Sequence, residues 1–404
     1  MTAATDLLRG RTRPRAPEAL PAPQPGPIPA PDQPATTDAA PGTQVAERVA
    51  VREKAGELTY VRSVRAIAMI GIVTLHISFP LIYLYNSISY SDWWAANFFY
   101  MFGKAGTPLF VMVSGLLLLD PGKPMVLSTF FRRRFLKVLW PFLVWGAIYM
   151  VYRAIMKDEV FGPRDVLDAF LNGPVYYHLW FIQMILGLYL ITPILRIFIA
   201  HATRKDLTYF LTVWFVGLIV LPTITRFTGL QFGIELMVAT GWVGFFVLGY
   251  ALKDVVLDRR GIRIAVAVII GGILFTQLAT HALTVAEGGT FDNFWQRNES
   301  LNIIAISVGT FLVLKSLDWD AMFSKVKGLR FVLMNVSNNS FGIYFVHVIV
   351  IETLALGFIK GIHLDGQSFL PLIAIPVTSA VVITISATLV TIMKRIPGVR
   401  TIVP

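Results

Sequence analysis

From about residue 58 onward, the chain alternates between long apolar runs and short polar segments. The apolar runs measure roughly 18 to 25 residues, which is the length a helix needs to cross about 30 Å of hydrocarbon. They are rich in Leu, Ile, Phe and Val and lack the two-residue alternation of a transmembrane barrel strand. The pattern predicts ten membrane-spanning helices, at residues 61–84, 94–119, 135–156, 176–200, 207–224, 236–252, 262–281, 300–317, 339–360 and 369–393.

Composition agrees with this pattern. Hydrophobic residues make up 55% of the chain, charged residues make up 15%, and the mean hydropathy is +0.65. A soluble core of this length could not bury so much apolar surface, so the excess must face lipid. We therefore predict an all-α, polytopic integral membrane domain over residues 56–398. Residues 1–55 differ from it: they are rich in Pro and Ala, and they are predicted to form a disordered cytoplasmic tail without the apolar segment of a secretory signal.

Lys and Arg residues indicate the orientation. When the predicted loops are assigned to alternate sides, nineteen of these residues fall on one side and six on the other. Positively charged loops stay in the cytoplasm, so both termini are predicted to be cytoplasmic. Because this placement also accounts for the net charge of +11, membrane lipid is the expected partner and nucleic acid is not.

Several kinds of site can be excluded or disfavoured from the sequence. The chain has no cysteine, which excludes disulfides and a cysteine nucleophile. No two histidines have a helical ligand spacing such as i, i+4, so no metal site is expected. A phosphate-binding Walker loop is also absent from the sequence, which disfavours ATP-driven transport.

Ionisable residues inside predicted spans are costly and are candidates for function. Arg65 and His76 are eleven residues apart in the first span, so they lie on one helical face about 16 Å apart. This spacing puts a cation near the cytoplasmic surface and an imidazole deep in the membrane. It leaves open a plainer interpretation, in which Arg65 anchors the helix and His76 forms a hydrogen bond between helices.

The second span contains Gly and Pro residues around Lys104. They predict a broken helix or a close approach of two helices, with Lys104 near water or polar groups. Ser114 is a candidate binding residue, and a small-residue packing notch at Ser114-Gly115 is the alternative.

A basic run precedes the third span. Arg132, Arg133, Arg134 and Lys137 lead directly into Trp140-Pro141. Arginine offers a planar fork of donors to phosphate, so this run could hold a phosphorylated cofactor. Topological anchoring by the same residues remains an alternative.

Two further histidines accompany aromatic residues. His178 and Trp180 begin the fourth span and could bind and stack on a sugar, although an interfacial structural role is equally consistent with their position. Tyr344 and His347 lie in the ninth span and are candidate binding residues.

These motifs together resemble acyltransferase family three, the membrane-bound O-acyltransferases of bacterial polysaccharides and lipopolysaccharides. The resemblance covers most of residues 58–394. It is carried by Arg65 and His76, Gly106–Gly115, Arg132–Pro141, Tyr177–Pro193 and Ser340–His347. Ala66 and Lys137 depart from it, since Gly and Arg are usual there. The His-Leu-Trp-Phe segment is most similar to the branch of the enterobacterial common antigen O-acetyltransferase and the exopolysaccharide acyltransferases.

The resemblance implies a function and a cofactor. Acyl-CoA, with acetyl-CoA favoured, would donate an acyl group from the cytoplasm to a hydroxyl of a polysaccharide, such as cellulose or another exopolysaccharide, or of its lipid-linked precursor. His76 and Arg65 would be catalytic, with His76 as general base or transient acyl carrier. The location would be the bacterial inner membrane, and a polysaccharide synthase or a periplasmic acyl-transfer protein could be a partner. The alternative is a transporter or flippase for a polysaccharide or lipid-linked sugar.

Overall fold

The computed structural model describes residues 41–232, 241–357, 361 and 363–404, with side chains from residue 59 onward. Of the predicted disordered tail at residues 1–55, residues 1–40 lie outside the described residues, whereas residues 41–55 are helical in the structure. The chain divides into two units, Met1–Val51 and Arg52–Pro404, and the first is described only from Pro41 as the beginning of a helix. All contacts reported below lie within the second unit.

The described chain is helical, as the sequence predicts. Its α-helices, in chain order, are α1 Pro41–Ile82, α2 Tyr90–Lys104, α3 Gly106–Leu118, α4 Leu127–Phe130, α5 Leu136–Met156, α6 Pro163–Leu171, α7 Trp180–His201, α8 Arg204–Phe215, α9 Leu221–Thr228, α10 Val243–Ala251, α11 Arg259–Ala286, α12 Leu301–Ser316, α13 Trp319–Lys325, α14 Leu329–Ala355 and α15 Pro371–Arg395. Two π-helical turns, Phe131–Phe135 and Val216–Val220, join α4 to α5 and α8 to α9.

Within the described ranges, eight helical stretches are long and apolar enough to cross a membrane. They correspond to eight of the ten predicted spans. The ninth predicted span, residues 339–360, falls on α14. This helix begins earlier, at Leu329, and its polar run at Asn335–Ser340 lowers its mean hydropathy. The sixth falls partly on residues 233–240, outside the described part, and continues as α10. The exact number of spans therefore stays a prediction, as does the side on which each terminus lies.

Burial separates central helices from peripheral ones. Helix α14 buries most of its length, and α3 and the part of α1 from residue 59 onward are also largely buried. In contrast, α11 exposes a band of large apolar residues, namely Ile264, Val268, Ile270, Leu274 and Leu278. An exposed apolar band of this kind is stable only against lipid, so α11 is a peripheral, lipid-facing helix.

The second and fourth spans have local features that bear on the site. The second span is broken at Ala105, between α2 and α3, so the broken-helix interpretation is confirmed. The fourth predicted span corresponds to α7, which begins at Trp180 instead of residue 176. His178 therefore lies in the turn before α7. Tertiary hydrogen bonds can hold such a short non-helical segment in place, and the periodicity of apolar residues in the sequence does not reveal these bonds.

Small residues allow the central helices to approach closely. A Cβ atom at Gly103 or Gly106 would overlap α1, at Gly71–Leu75 and at Ala68–Ile72 respectively. A Cβ at Gly115 would overlap the backbone of Phe246 in α10. The packing notch considered for Ser114-Gly115 is therefore present.

Replacing Gly115 by alanine is expected to destabilise the fold by about 1–3 kcal/mol, because the added methyl must push α3 away from α10. The measurement is the thermal unfolding midpoint of the purified protein in detergent. Gly187→Ala is the matched control, since nothing lies within 4 Å of a Cβ there. Equal midpoints for the two variants would contradict the close packing of α3 on α10.

Candidate active site

The predicted site residues lie around two neighbouring cavities within the helical bundle. The first, the basic cavity, has a volume of about 330 Å³ and is lined by Arg65, Ser114, Arg133, Arg134, Lys137 and Ser340, among others. The second, the histidine cavity, has a volume of about 200 Å³ and is lined by His76, Lys104, Tyr177, His178, Trp180 and Asn298, among others. Phe181 and Tyr344 line both cavities.

The basic cavity collects positive charge from two parts of the chain. Arg65 comes from α1, while Arg133, Arg134 and Lys137 come from the π-helical turn and the start of α5. Among the described residues that line this cavity, none has an acidic side chain. Positive charge without a neutralising acidic side chain indicates an anionic ligand, and phosphate suits the arginine forks.

Among the described residues, Arg65 has one hydrogen-bond partner. Its guanidinium donates a hydrogen bond of 3.0 Å to Ser340 Oγ on α14, and Ser340 Oγ itself donates to Ser337 O at 2.9 Å. In the part of the chain that the structure describes, no carboxylate lies within salt-bridge distance of Arg65. Most of its donors are therefore available to a ligand.

The predicted basic residues differ in their position relative to the cavity. Arg133 and Arg134 line the basic cavity, whereas Arg132 is exposed and is not among the lining residues. Ser114 lines the cavity and donates its hydroxyl to Phe110 O at 2.8 Å, so its oxygen remains able to accept a hydrogen bond.

Three histidines meet beside the second cavity. The ring centroid of His76 lies 5.2 Å from that of His347 and 6.4 Å from that of His178, and the last two are 5.3 Å apart. His76 and His178 line the cavity, and His347 packs behind them. The sequence predicted these residues separately; the fold brings them together.

Hydrogen bonds distinguish the three rings. His347 Nδ1 faces two backbone carbonyl oxygens, at 3.1 Å from Ile343 O and 2.7 Å from Tyr344 O. Carbonyl oxygens only accept, so Nδ1 carries the proton and Nε2 keeps its lone pair. No side chain or backbone group of the described residues holds the His76 ring by a hydrogen bond. The His76 nitrogens are thus free for substrate.

The turn that carries His178 is fixed from several sides. The Tyr344 hydroxyl donates to His178 O, and the Tyr176 hydroxyl donates to Glu352 Oε1 at 2.5 Å. Arg153 reaches Val175 O at 3.0 Å and also pairs with Glu159. That hydrogen-bonded pairing keeps the pKa of Glu159 below its usual value, so the contact persists at neutral pH. The bonds of Tyr344 and Glu352 hold this turn, and with it His178, against α14.

Lys104 and Trp180 line the histidine cavity as well. The Lys104 ammonium lies 5.4 Å from the centroid of the Tyr100 ring, and it is the cation nearest the histidines in the cavity lining. The Trp180 ring packs at 5.5 Å from Trp242. A cation and an aromatic face beside an imidazole could stabilise a developing oxyanion and orient a sugar.

Several residues that line the cavities had no predicted role. Tyr177 and Phe181 lie in the aromatic segment that also contains His178, and Tyr189 lies two turns later in α7. Their proximity to His178 in sequence was the available signal. Asn298 comes from the loop before α12 and carried no such signal. No group of three potential ligands in the described residues has the geometry to hold a metal ion.

Together, the lipid-facing bundle and the buried histidines beside a cationic cavity define a membrane-embedded protein equipped for acid–base or group-transfer chemistry. The chain belongs to acyltransferase family 3: the family model, which describes an acyltransferase domain, matches residues 58–393. It is therefore an acyltransferase, and a multi-pass membrane protein. No curated protein matches the chain, and no solved structure does.

Proposed function

We propose that the protein transfers an acyl group, with acetyl favoured, from cytoplasmic acyl-CoA to a hydroxyl of a bacterial polysaccharide or its lipid-linked precursor. The observation that carries the proposal is the pair of adjoining cavities, one cationic and one lined by histidines. The proposed location is the bacterial inner membrane, with the basic cavity toward the cytoplasm. Similarity of the His-Leu-Trp-Phe segment to the enterobacterial common antigen branch supports a glycan acceptor. Family membership supports an enzyme over the transporter alternative.

In this mechanism the basic cavity binds the donor. Arg65, Arg133, Arg134 and Lys137 contact the phosphates of acyl-CoA, and Ser114 lines the path of its pantetheine arm. Arg65 is the innermost of these cations, since it is half-buried and bonded to α14, while Arg133, Arg134 and Lys137 are exposed. The thioester is thereby oriented toward the histidine cavity.

The histidine cavity performs the transfer. His76 accepts the proton of the acceptor hydroxyl as its oxygen bonds to the acyl carbon; the carbon–sulfur bond breaks, and the CoA thiolate leaves and takes up a proton. Lys104 stabilises the negative charge on the carbonyl oxygen in the transition state. Trp180 stacks on the sugar and His178 forms a hydrogen bond with it, while Tyr344 and His347 support these groups from α14. A transient acyl-imidazole on His76 is the alternative chemical route.

The test of this function uses inside-out membrane vesicles that contain the glycan acceptor. Acetyl-CoA labelled in the acetyl group is added, and both label in the glycan and free CoA are measured. We expect the two to rise in equal amounts, and only in vesicles that contain the protein. Release of CoA without label in the glycan would contradict glycan acylation, and transport of sugar without consumption of acetyl-CoA would favour the transporter.

Neutralising Arg134 is expected to raise the KM for acyl-CoA by about five- to tenfold, because an exposed cation contributes roughly 1 kcal/mol to phosphate binding. The increase should shrink at high salt, which screens the same charge in the wild type. Arg132→Gln is the matched control, since Arg132 precedes it by two residues but does not line the cavity. Equal effects of the two substitutions would indicate a general surface-charge effect instead of a binding site.

A further inference from the structure

Two aromatic side chains separate the cavities. Among the described lining residues, Phe181 and Tyr344 are the ones that the basic cavity and the histidine cavity have in common. Their ring centroids lie 5.4 Å apart. Arg65 lines one cavity and His76 the other, so a group bound by the arginines must pass these two rings to reach the imidazole.

The two rings are held differently. Tyr344 is 5% exposed, its hydroxyl donates to His178 O, and it lies on α14 one turn from Ser340 and from His347. Phe181 is half-buried in the first turn of α7, and among the described residues its ring contacts Tyr344, Phe110 at 6.2 Å and Trp180 at 6.3 Å; a phenyl ring forms no conventional hydrogen bond in any of these contacts. Rotation of the Phe181 side chain therefore breaks no hydrogen bond, whereas movement of Tyr344 does.

We infer that Phe181 and Tyr344 form a partition between donor and acceptor cavities, and that Phe181 determines which acyl groups reach His76. The inference rests on the proposed function. A fixed phenol beside a movable phenyl ring leaves a narrow apolar passage, which suits a short acyl group and obstructs a longer one. The same partition keeps the thioester away from water in the acceptor cavity until a hydroxyl is bound, which limits wasteful hydrolysis.

The test compares acetyl-CoA with butyryl-CoA and hexanoyl-CoA in the vesicle assay. Phe181→Ala is expected to raise the ratio of hexanoyl to acetyl transfer at least tenfold over wild type, since each methylene that a pocket excludes can contribute that much discrimination. Phe181→Leu should give a smaller rise and serves if the alanine variant does not fold. CoA release without glycan should also increase in both variants, as water reaches the thioester.

Two matched variants separate the partition from a general loosening of the site. Leu117→Ala shortens a side chain that lines the basic cavity alone, and Phe79→Ala removes a ring that lines the histidine cavity alone. Both should leave the hexanoyl-to-acetyl ratio within about twofold of wild type. An unchanged ratio in both Phe181 variants, with acetyl transfer by the wild type intact, would overturn the partition alone. Absence of acetyl transfer by the wild type would overturn the proposed function together with it.

Discussion

Replacement of His76 by alanine is expected to lower acyl transfer by about 10³-fold, within the 10²–10⁴ range that a positioned general base contributes. His76 lines the cavity beside Lys104 and Tyr177, and no hydrogen bond to a described residue occupies its ring nitrogens. An imidazole in that state is available to accept a proton from a hydroxyl near neutral pH. The measurement is the initial rate of label transfer from acetyl-CoA at equal amounts of protein in the membrane.

The control for His76 is another histidine of the same chain. His201 lies at the end of α7, is exposed, and has its Nδ1 at 2.9 Å from Ile197 O, so His201→Ala should transfer label at the wild-type rate. Retention of more than a tenth of the activity by His76→Ala would contradict the assignment. Label that remains on the wild-type protein when acceptor is withheld, and is absent from His76→Ala, would identify the acyl-imidazole route.

Loss of Arg65 is expected to raise the KM for acyl-CoA by about 10- to 100-fold, because a hydrogen bond to a charged group contributes roughly 1.5–3 kcal/mol. This rise in KM should exceed the rise caused by neutralising Arg134. Arg65 is half-buried, so water screens its charge less. Arg65→Met removes the charge and keeps the length of the side chain. Arg65→Lys keeps the charge but not the planar fork, so it should recover part of the affinity.

Steady-state kinetics with acyl-CoA as the varied substrate measure this effect. Ser340→Ala is the informative companion, since it removes the hydroxyl that accepts the Arg65 hydrogen bond and leaves the guanidinium in place. We expect a severalfold rise in KM for that variant. A large fall in kcat with unchanged KM in Arg65→Met would show that Arg65 acts in the chemical step and not in binding the donor.

Local sequence patterns predicted most of the fold and part of the site. Apolar runs predicted the eight helices that are long enough to cross a membrane, because the length of such a run is set directly by bilayer thickness. The Arg65–His76 spacing predicted a cation and an imidazole on one face of one helix. The structure places them at different cavities on either side of Tyr344.

Tertiary arrangement explains what the patterns could not predict. His178 lies 166 residues before Tyr344, and the hydrogen bond between them holds the turn before α7 against α14. No helical period connects segments so far apart. In the basic run, a π-helical turn at Phe131–Phe135 shifts the side-chain positions relative to an α-helix, so the sequence could not tell that Arg132 lies off the cavity while Arg134 lines it.

We propose that the acyl group enters at the basic cavity, from the cytoplasmic side, and leaves at the histidine cavity, toward the opposite side. Sealed vesicles of both orientations test it most directly, with acetyl-CoA added only to the outside and unable to cross the membrane. We predict that inside-out vesicles consume acetyl-CoA and acylate glycan in the lumen, while right-side-out vesicles do neither. Equal consumption of acetyl-CoA by vesicles of both orientations, or acylation only in right-side-out vesicles, would contradict this direction of transfer.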